Sequence, residues 1–360
     1  MALLAKLGQS PWLDYISRCL IDRGTLRDLI AGGLRGLTSN PTIFDKAISS
    51  SSDYDQRIAN LAKSGKTSLE IYDDLTVRDI QDAADLFLPV YRDTGGLDGY
   101  VSLEINPQLA QQAGESIAEG KRISAKVNRP NLMLKVPATD QGLLAIEELT
   151  TQGLNVNATL IFSLNQYANT AQSYLKGLRR FLKKNSDASG IRSVASVFVS
   201  RLDARVDKLL TEEHAALKGR AAVANARMIY AEFCRIFSAG QFAGLKTRGA
   251  NLQRVLWGST STKNNRYSDI KYVQELIGKN TVNTIPQNTL AAFLDHGKVE
   301  RVLTNDAQPA EKTIGQLAKL GIDVNLICQE LLEQGLTAFK NSFDSLLASI
   351  SAKAKQLCQV

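Results

Sequence analysis

The chain has 360 residues, 44% of them hydrophobic and 22% charged, which suits a globular protein with a sizeable core of one large or two ordinary domains. No apolar run approaches a bilayer span, the N-terminus lacks a signal-peptide pattern, and Cys19, Cys234, Cys328 and Cys358 have no paired spacing. These features argue against a membrane partner, a disulfide framework and a zinc site, and they predict a cytoplasmic protein. The net charge of +7 is spread along the chain, and its densest cluster (Lys176, Arg179, Arg180, Lys183, Lys184) has helical spacing with few aromatics, so a solvated surface or local service to an anionic substrate fits better than nucleic acid.

In chain order, strand-like runs are predicted at 12–16, 36–39, 100–105, 132–136, 156–161, 193–199, 255–259 and 281–284. Helices are predicted between them at 68–91, 110–118, 142–150, 165–181, 220–239 and 271–278, with a short loop at 49–52. Eight alternating units predict an α/β fold, a (β/α)8 barrel. An open doubly wound sheet competes, but no Gly-x-Gly-x-x-Gly follows the first strand. Beyond residue 300 two helices are predicted, 311–320 and 324–350. The second carries a stripe of Leu326, Ile327, Leu331, Leu332, Leu336, Phe339, Phe343, Leu346 and Leu347. The expectation is a single barrel domain over 1–360, with 305–356 as C-terminal helices packed on the rim.

Barrel enzymes draw their chemistry from the C-terminal ends of several strands. Lys135 interrupts the apolar run Leu132-Met133-Leu134-Lys135-Val136 and is read as ending the fourth strand before Pro137. Burial there would disfavour its ammonium and free an amine able to form a Schiff base with a carbonyl substrate, whereas a snorkelling side chain would keep its charge in water. Asp14 lies within the first strand, Thr38 and Asn40 at the end of the second, Glu104 in the third, Asn157 and Thr159 in the fifth and Ser196 in the sixth. Each has a plainer reading. Asn40 before Pro41 makes an ordinary turn, and Glu104 in an alternating strand can face water. Their coincidence on one barrel favours a common mouth.

That set suits a retro-aldol reaction through an imine: the lysine attacks a ketone, one carboxylate takes a hydroxyl proton, and the other manages the loss and return of water. Arg201, after the sixth strand, and Ser261 and Lys263, after the seventh, suit a phosphate, although a polar surface loop explains the latter pair equally well.

The segments Trp12-Leu13-Asp14, Thr38-Ser39-Asn40-Pro41-Thr42, Val101-Ser102-Leu103-Glu104, Leu134-Lys135-Val136-Pro137-Ala138-Thr139, Asn155-Val156-Asn157-Ala158-Thr159 and Ser196-Val197-Phe198 resemble the transaldolase family in order and spacing. The resemblance implies a TIM barrel that transfers a dihydroxyacetone unit from sedoheptulose 7-phosphate to glyceraldehyde 3-phosphate, without cofactor or metal. It implies Lys135 as the Schiff-base lysine, Asp14 as the acid/base for carbon–carbon cleavage, and Glu104 with Thr159 as the pair that handles water. Thr38, Asn40, Asn157, Ser196 and Phe198 resemble substrate contacts, and Arg201, Ser261 and Lys263 the phosphate site. Many members carry arginine where Lys263 stands. A fructose-6-phosphate aldolase-like enzyme is the nearest alternative, and its pattern resembles a glutamine and a tyrosine in place of Glu104 and Phe198. A metal-dependent aldolase is disfavoured, because His214 and His296 lack ligand spacing. The expected partners are phosphorylated sugars, with no nucleic acid, and the chain is expected to act as a monomer or homodimer.

Overall fold

Eight parallel strands close into a barrel in chain order: β1 (Gln9–Leu13), β2 (Gly36–Thr38), β3 (Tyr100–Glu104), β4 (Leu132–Pro137), β5 (Val156–Ile161), β6 (Ser193–Phe198), β7 (Gln253–Gly258) and β8 (Thr281–Ile285), with β8 pairing back onto β1. This is the (β/α)8 architecture read from the alternation. The computed structural model describes residues 1–238 and 240–358. Among these, no helix is long and apolar enough to cross a membrane.

Two strand expectations need correction. β1 starts at Gln9 and stops at Leu13, so Asp14 follows the strand instead of lying within it. Gln9 looks like a loop residue in sequence but is fully buried, donating to the Leu276 carbonyl at 2.7 Å and the Thr281 hydroxyl at 2.9 Å. β4 continues through Pro137, which registers with Thr159, so Lys135 is not its last residue.

Strand alternation divides the side chains between the barrel axis and the surrounding helices. Inside, Trp12, Tyr100, Met133, Val194, Leu256 and Val282 pack as an apolar plug. Gly36 is obligatory beside it, since a Cβ there would meet the Trp12 ring at 2.7 Å. Nearer the C-terminal ends the inward residues turn polar, while Val101, Leu103 and Ile105 join the core under the helices.

Local signals account for the helix boundaries. Thr67 with Glu70, and Ser163 with Gln166, form capping boxes that start the Ser68–Asp93 and Leu164–Phe181 helices. Asn128, in the left-handed region at φ 49°, ends the Ala113–Val127 helix, which lies later and runs longer than the predicted 110–118. The predicted helix 271–278 is only Lys271–Gln274. The helix predicted over 220–239 is Ala221–Ser238, and Ala239 lies outside the described residues. The last helix, Val324–Cys358, buries Ile327, Leu331, Leu336, Phe339, Phe343, Leu346 and Ile350, but Leu326, expected in the stripe, is 54% exposed.

This terminal helix travels around the C-terminal face of the barrel. Cys328 donates to the Phe162 carbonyl just past β5, Thr42 and Ser342 share a 2.8 Å hydrogen bond past β2, and Lys353 pairs with Asp55 at 2.7 Å. Gly335 permits the close approach, because a Cβ there would stand 3.0 Å from the Leu160 side chain.

Candidate active site

Lys135 is 3% exposed. Its Nζ lies 3.3 Å from Glu104 Oε2 and donates to the Ser39 carbonyl at 3.2 Å. The pairing has a simple origin, since Glu104 and Lys135 stand opposite each other in the β3–β4 register and share the inward face. Asn157 continues the row on β5. It donates to the Ser102 hydroxyl at 3.1 Å and accepts from the Ser196 hydroxyl at 2.6 Å. Thr159 is fully buried, and its hydroxyl has no partner among the described residues. Just beyond it Leu160 takes φ 58° and the β5–β6 register shifts, a bulge of the kind that re-aims side chains at sheet ends.

Asp14, half-buried at the end of β1, accepts from Thr38 Oγ1 at 2.8 Å. Thr38 has one hydroxyl proton and gives it to Asp14, so Thr284, 2.6 Å away, donates to Thr38. Burial raises the Asp14 carboxyl above the usual range, against the lowering influence of the Lys135 charge, the Thr38 hydrogen bond and the Lys263 charge. Glu104 is pushed up to about 7, chiefly by burial and additionally by Asp14, with Lys135 opposing. One carboxyl group near the neutral range and another with its charged form disfavoured are suited to proton transfer.

The mouth is a cavity of about 360 Å³. Of the residues singled out in sequence, Asp14, Thr38, Asn40, Lys135, Ser196, Phe198, Arg201, Ser261 and Lys263 line it together. Glu104, Asn157 and Thr159 do not; Glu104 and Asn157 flank Lys135 in the strand register, and Thr159 sits farther along β5. Asn40 lines the mouth, and in place of the ordinary turn its side-chain oxygen accepts from the Ile43 amide (2.9 Å) and caps the Pro41–Ser49 helix. The water-facing alternative for Glu104 fails, because alternation in a barrel sends its side chain to the axis and Leu103 to the helices.

The cations cluster on one side. Arg201 has no ion-pair or hydrogen-bond partner among the described residues, and its guanidinium lies 5.6 Å from the Phe198 ring centroid. Lys263 donates to Ser261 at 2.9 Å. Its amine is lowered by desolvation and by the charges of Arg201 and Lys46, with Asp14 opposing, so a bound anion would relieve it.

Sequence reasoning missed Ser102, Thr284, Lys46 and Phe339. Ser102 and Thr284 were accessible from strand alternation, because they share the inward face of Glu104 and Val282. Lys46 and Phe339 carried no local signal. They reach the mouth because helices dock there, and Phe339 places its ring centroid 5.8 Å from the Lys135 amine.

A buried lysine beside a carboxylate, at the C-terminal mouth of a parallel barrel and next to unpaired cations, can form an imine with an anionic carbonyl compound. Comparison with known proteins agrees with that class. The family model described as Transaldolase/Fructose-6-phosphate aldolase matches residues 11–350. A protein named Transaldolase from Trichodesmium erythraeum (strain IMS101) is 41% identical over 372 residues, covering 99% of this chain and 98% of its own. Transaldolase 2 of Streptomyces coelicolor (strain ATCC BAA-471 / A3(2) / M145) is 43% identical, covering 98% and 97%, and Transaldolase of Neisseria gonorrhoeae (strain ATCC 700825 / FA 1090) is 40% identical, covering 96% and 97%. The chain belongs to the transaldolase/fructose-6-phosphate aldolase family. Its activity is that of a transaldolase, a transferase of the pentose phosphate pathway.

Proposed function

We propose that the chain moves a dihydroxyacetone unit from sedoheptulose 7-phosphate to glyceraldehyde 3-phosphate, giving erythrose 4-phosphate and fructose 6-phosphate, through an imine on Lys135. The observation that carries this reading is the buried Lys135–Glu104 pair, 3.3 Å apart, whose lysine walls a mouth that also holds Asp14 and Arg201.

The Lys135 amine adds to the donor ketone. Glu104 then gives its proton to the carbinolamine hydroxyl, the carbon–oxygen bond breaks, the nitrogen lone pair forms the C=N bond, and water leaves. Asp14 takes the proton of the hydroxyl beside the scissile bond. That oxygen becomes the aldehyde carbonyl as the carbon–carbon bond breaks, and the bond's electrons pass into the imine to leave a three-carbon enamine. The acceptor aldehyde reverses this step, and water activated by Glu104 beside Thr159 hydrolyses the new imine. Thr38 aims Asp14. Asn40, Asn157, Ser196 and Phe198 hold the sugar, and Arg201, Ser261 and Lys263 take its phosphate, with Arg201 as a planar fork and Lys263 as a point charge.

Residues 1–360 then act as one barrel domain, with 305–356 as its terminal helices, and four free cysteines fit a reducing cytoplasm. The basic cluster at 176–184 is partly neutralised, since Arg180 pairs with Glu147 and Glu148, which argues against a nucleic-acid face.

The test is reductive trapping. Borohydride with fructose 6-phosphate should leave a covalent adduct that maps to Lys135. An adduct at another residue, or none on active protein, refutes the assignment.

A further inference from the structure

A second basic cavity lies among the helices around the barrel and shares no lining residue with the mouth. It encloses about 530 Å³ where the helices Ala221–Ser238, Lys271–Gln274 and Gln308–Lys319 meet. Arg220 stands directly before the first of these, and Val223, Ala224 and Arg227 follow it at the spacing of one helix face. Lys271 comes from the second helix and Lys312 from the third. Four cations therefore line one space. Glu275 is the one carboxylate among the lining residues, and Lys271 already holds it at 2.6 Å. Arg220, Arg227 and Lys312 make no ion pair and no side-chain hydrogen bond with any described residue.

We infer that this cleft binds a small organic anion carrying two phosphoryl groups, either as a diphosphate or as a bisphosphate ester. Like charges brought together from three helices repel one another, and an anion that bridges them relieves the repulsion. The Nε of Arg227 is shielded from solvent yet has no acceptor, so this guanidinium has lost part of its hydration without gaining a partner. Phosphoryl oxygens suit both cation types, the arginines as planar forks and the lysine as a point charge. Pro309 and Ala310, in the first turn of the helix Gln308–Lys319, also line the cleft, and they bring the positive end of that helix to it. The charge balance sets the number of phosphoryl groups. Four cations less one carboxylate leave a net charge of +3, more than a single phosphoryl group of about −2 neutralises. Val223, Ala224 and Ala310 supply an apolar wall for the organic part, in a cavity of the size that takes metabolites.

Calorimetric titration of the full chain, without added divalent cation, tests the inference. The probes are inorganic pyrophosphate, ADP and fructose 1,6-bisphosphate, with inorganic phosphate as the reference. Each is titrated into the unsubstituted chain and into Arg201→Gln, which weakens the mouth and leaves the cleft intact. At least one of the two organic probes should bind more tightly than inorganic phosphate and should do so equally in Arg201→Gln. Arg227→Gln and Arg220→Ser should each weaken that binding by about tenfold or more. Arg220 is exposed, so its replacement keeps the test valid if Arg227→Gln fails to fold. Tighter binding of ADP would assign a nucleoside diphosphate to the cleft, and tighter binding of fructose 1,6-bisphosphate a sugar bisphosphate. Binding that is lost in Arg201→Gln and kept in the two cleft variants places the anion in the mouth and overturns the inference. Absence of saturable binding at millimolar concentration, or organic probes that bind no better than inorganic phosphate, overturns it as well.

Discussion

Lys135 lies in the field of two carboxylates whose surroundings differ. Asp14 is at the rim and held by a threonine, whereas Glu104 lies deep with no aligned donor of its own. The environments therefore assign different work to the same functional group. In the proposed mechanism hydrolysis uses Glu104 as carboxylate, and burial, which pushes its pKa up to about 7, means that this form is gained as pH rises through neutrality. The imine-hydrolysis rate should therefore climb between about pH 5 and 8 and then level, and Glu104→Gln should flatten that profile and lower the rate by roughly 10²- to 10³-fold. Stopped-flow or quenched single turnovers across that range measure it directly. A profile that keeps its rise in the Gln variant would assign the titration elsewhere. Asp14→Ala, by contrast, should slow carbon–carbon cleavage more than imine formation, and equal slowing of both would remove its separate role.

At the scale of elements, the terminal helix turns an open barrel mouth into a walled site. Gly335 lets it settle against Leu160 at the β5 bulge, and one turn further on Phe339 covers the Lys135 amine. In the proposed mechanism an aromatic wall there would keep bulk water from the three-carbon intermediate, which favours transfer over simple aldol cleavage. Phe339→Ala should therefore raise the release of free dihydroxyacetone from fructose 6-phosphate in the absence of an acceptor. It should also destabilise the fold by about 3–5 kcal/mol through the lost buried ring. A coupled dihydroxyacetone assay reads the first effect, and an unchanged ratio of release to transfer would exclude the wall as the cause. This is also where sequence legibility divides. Strands were legible because short apolar runs bounded by Gly, Pro and Asn have few alternatives, and the Lys135–Glu104 pair followed from placing two charged residues on neighbouring strands. β1 was misplaced because Gln9 and Ser10 look solvent-exposed, and only the closed barrel gives Gln9 its buried partners. The Pro41–Ser49 helix and the position of Phe339 were illegible for another reason. Local pattern reports that a helix has an apolar face, but not which part of the barrel that face covers.

For the whole molecule, the pH dependence of stability depends on which buried carboxylates end up charged. Asp73 and Asp74 are held below the usual range by Arg122, Lys126 and Lys66, despite partial burial. They contribute stability that is lost only in acid. Asp79 and Asp203 go the other way, each raised to about 6 by burial, and Glu104 is raised further. For a raised carboxyl the native state binds the proton more tightly than the unfolded chain. Its contribution is therefore complete below the ordinary carboxylate pKa and is lost as pH rises through the folded value. Asp203 is the cleanest test. It is 1% exposed, accepts from the Ala222 amide at 2.8 Å and the Tyr272 hydroxyl at 2.9 Å, and belongs to the helix Ser200–Val206 that carries Arg201. An asparagine oxygen can accept from the same amide and hydroxyl without ever ionising. Between about pH 4 and 7 the stability of Asp203→Asn relative to the unsubstituted chain should therefore improve by about 2–3 kcal/mol, whatever its offset at low pH. Urea unfolding of both proteins at several pH values measures this difference, and a gap that stays constant across the range would show that Asp203 remains ionised throughout.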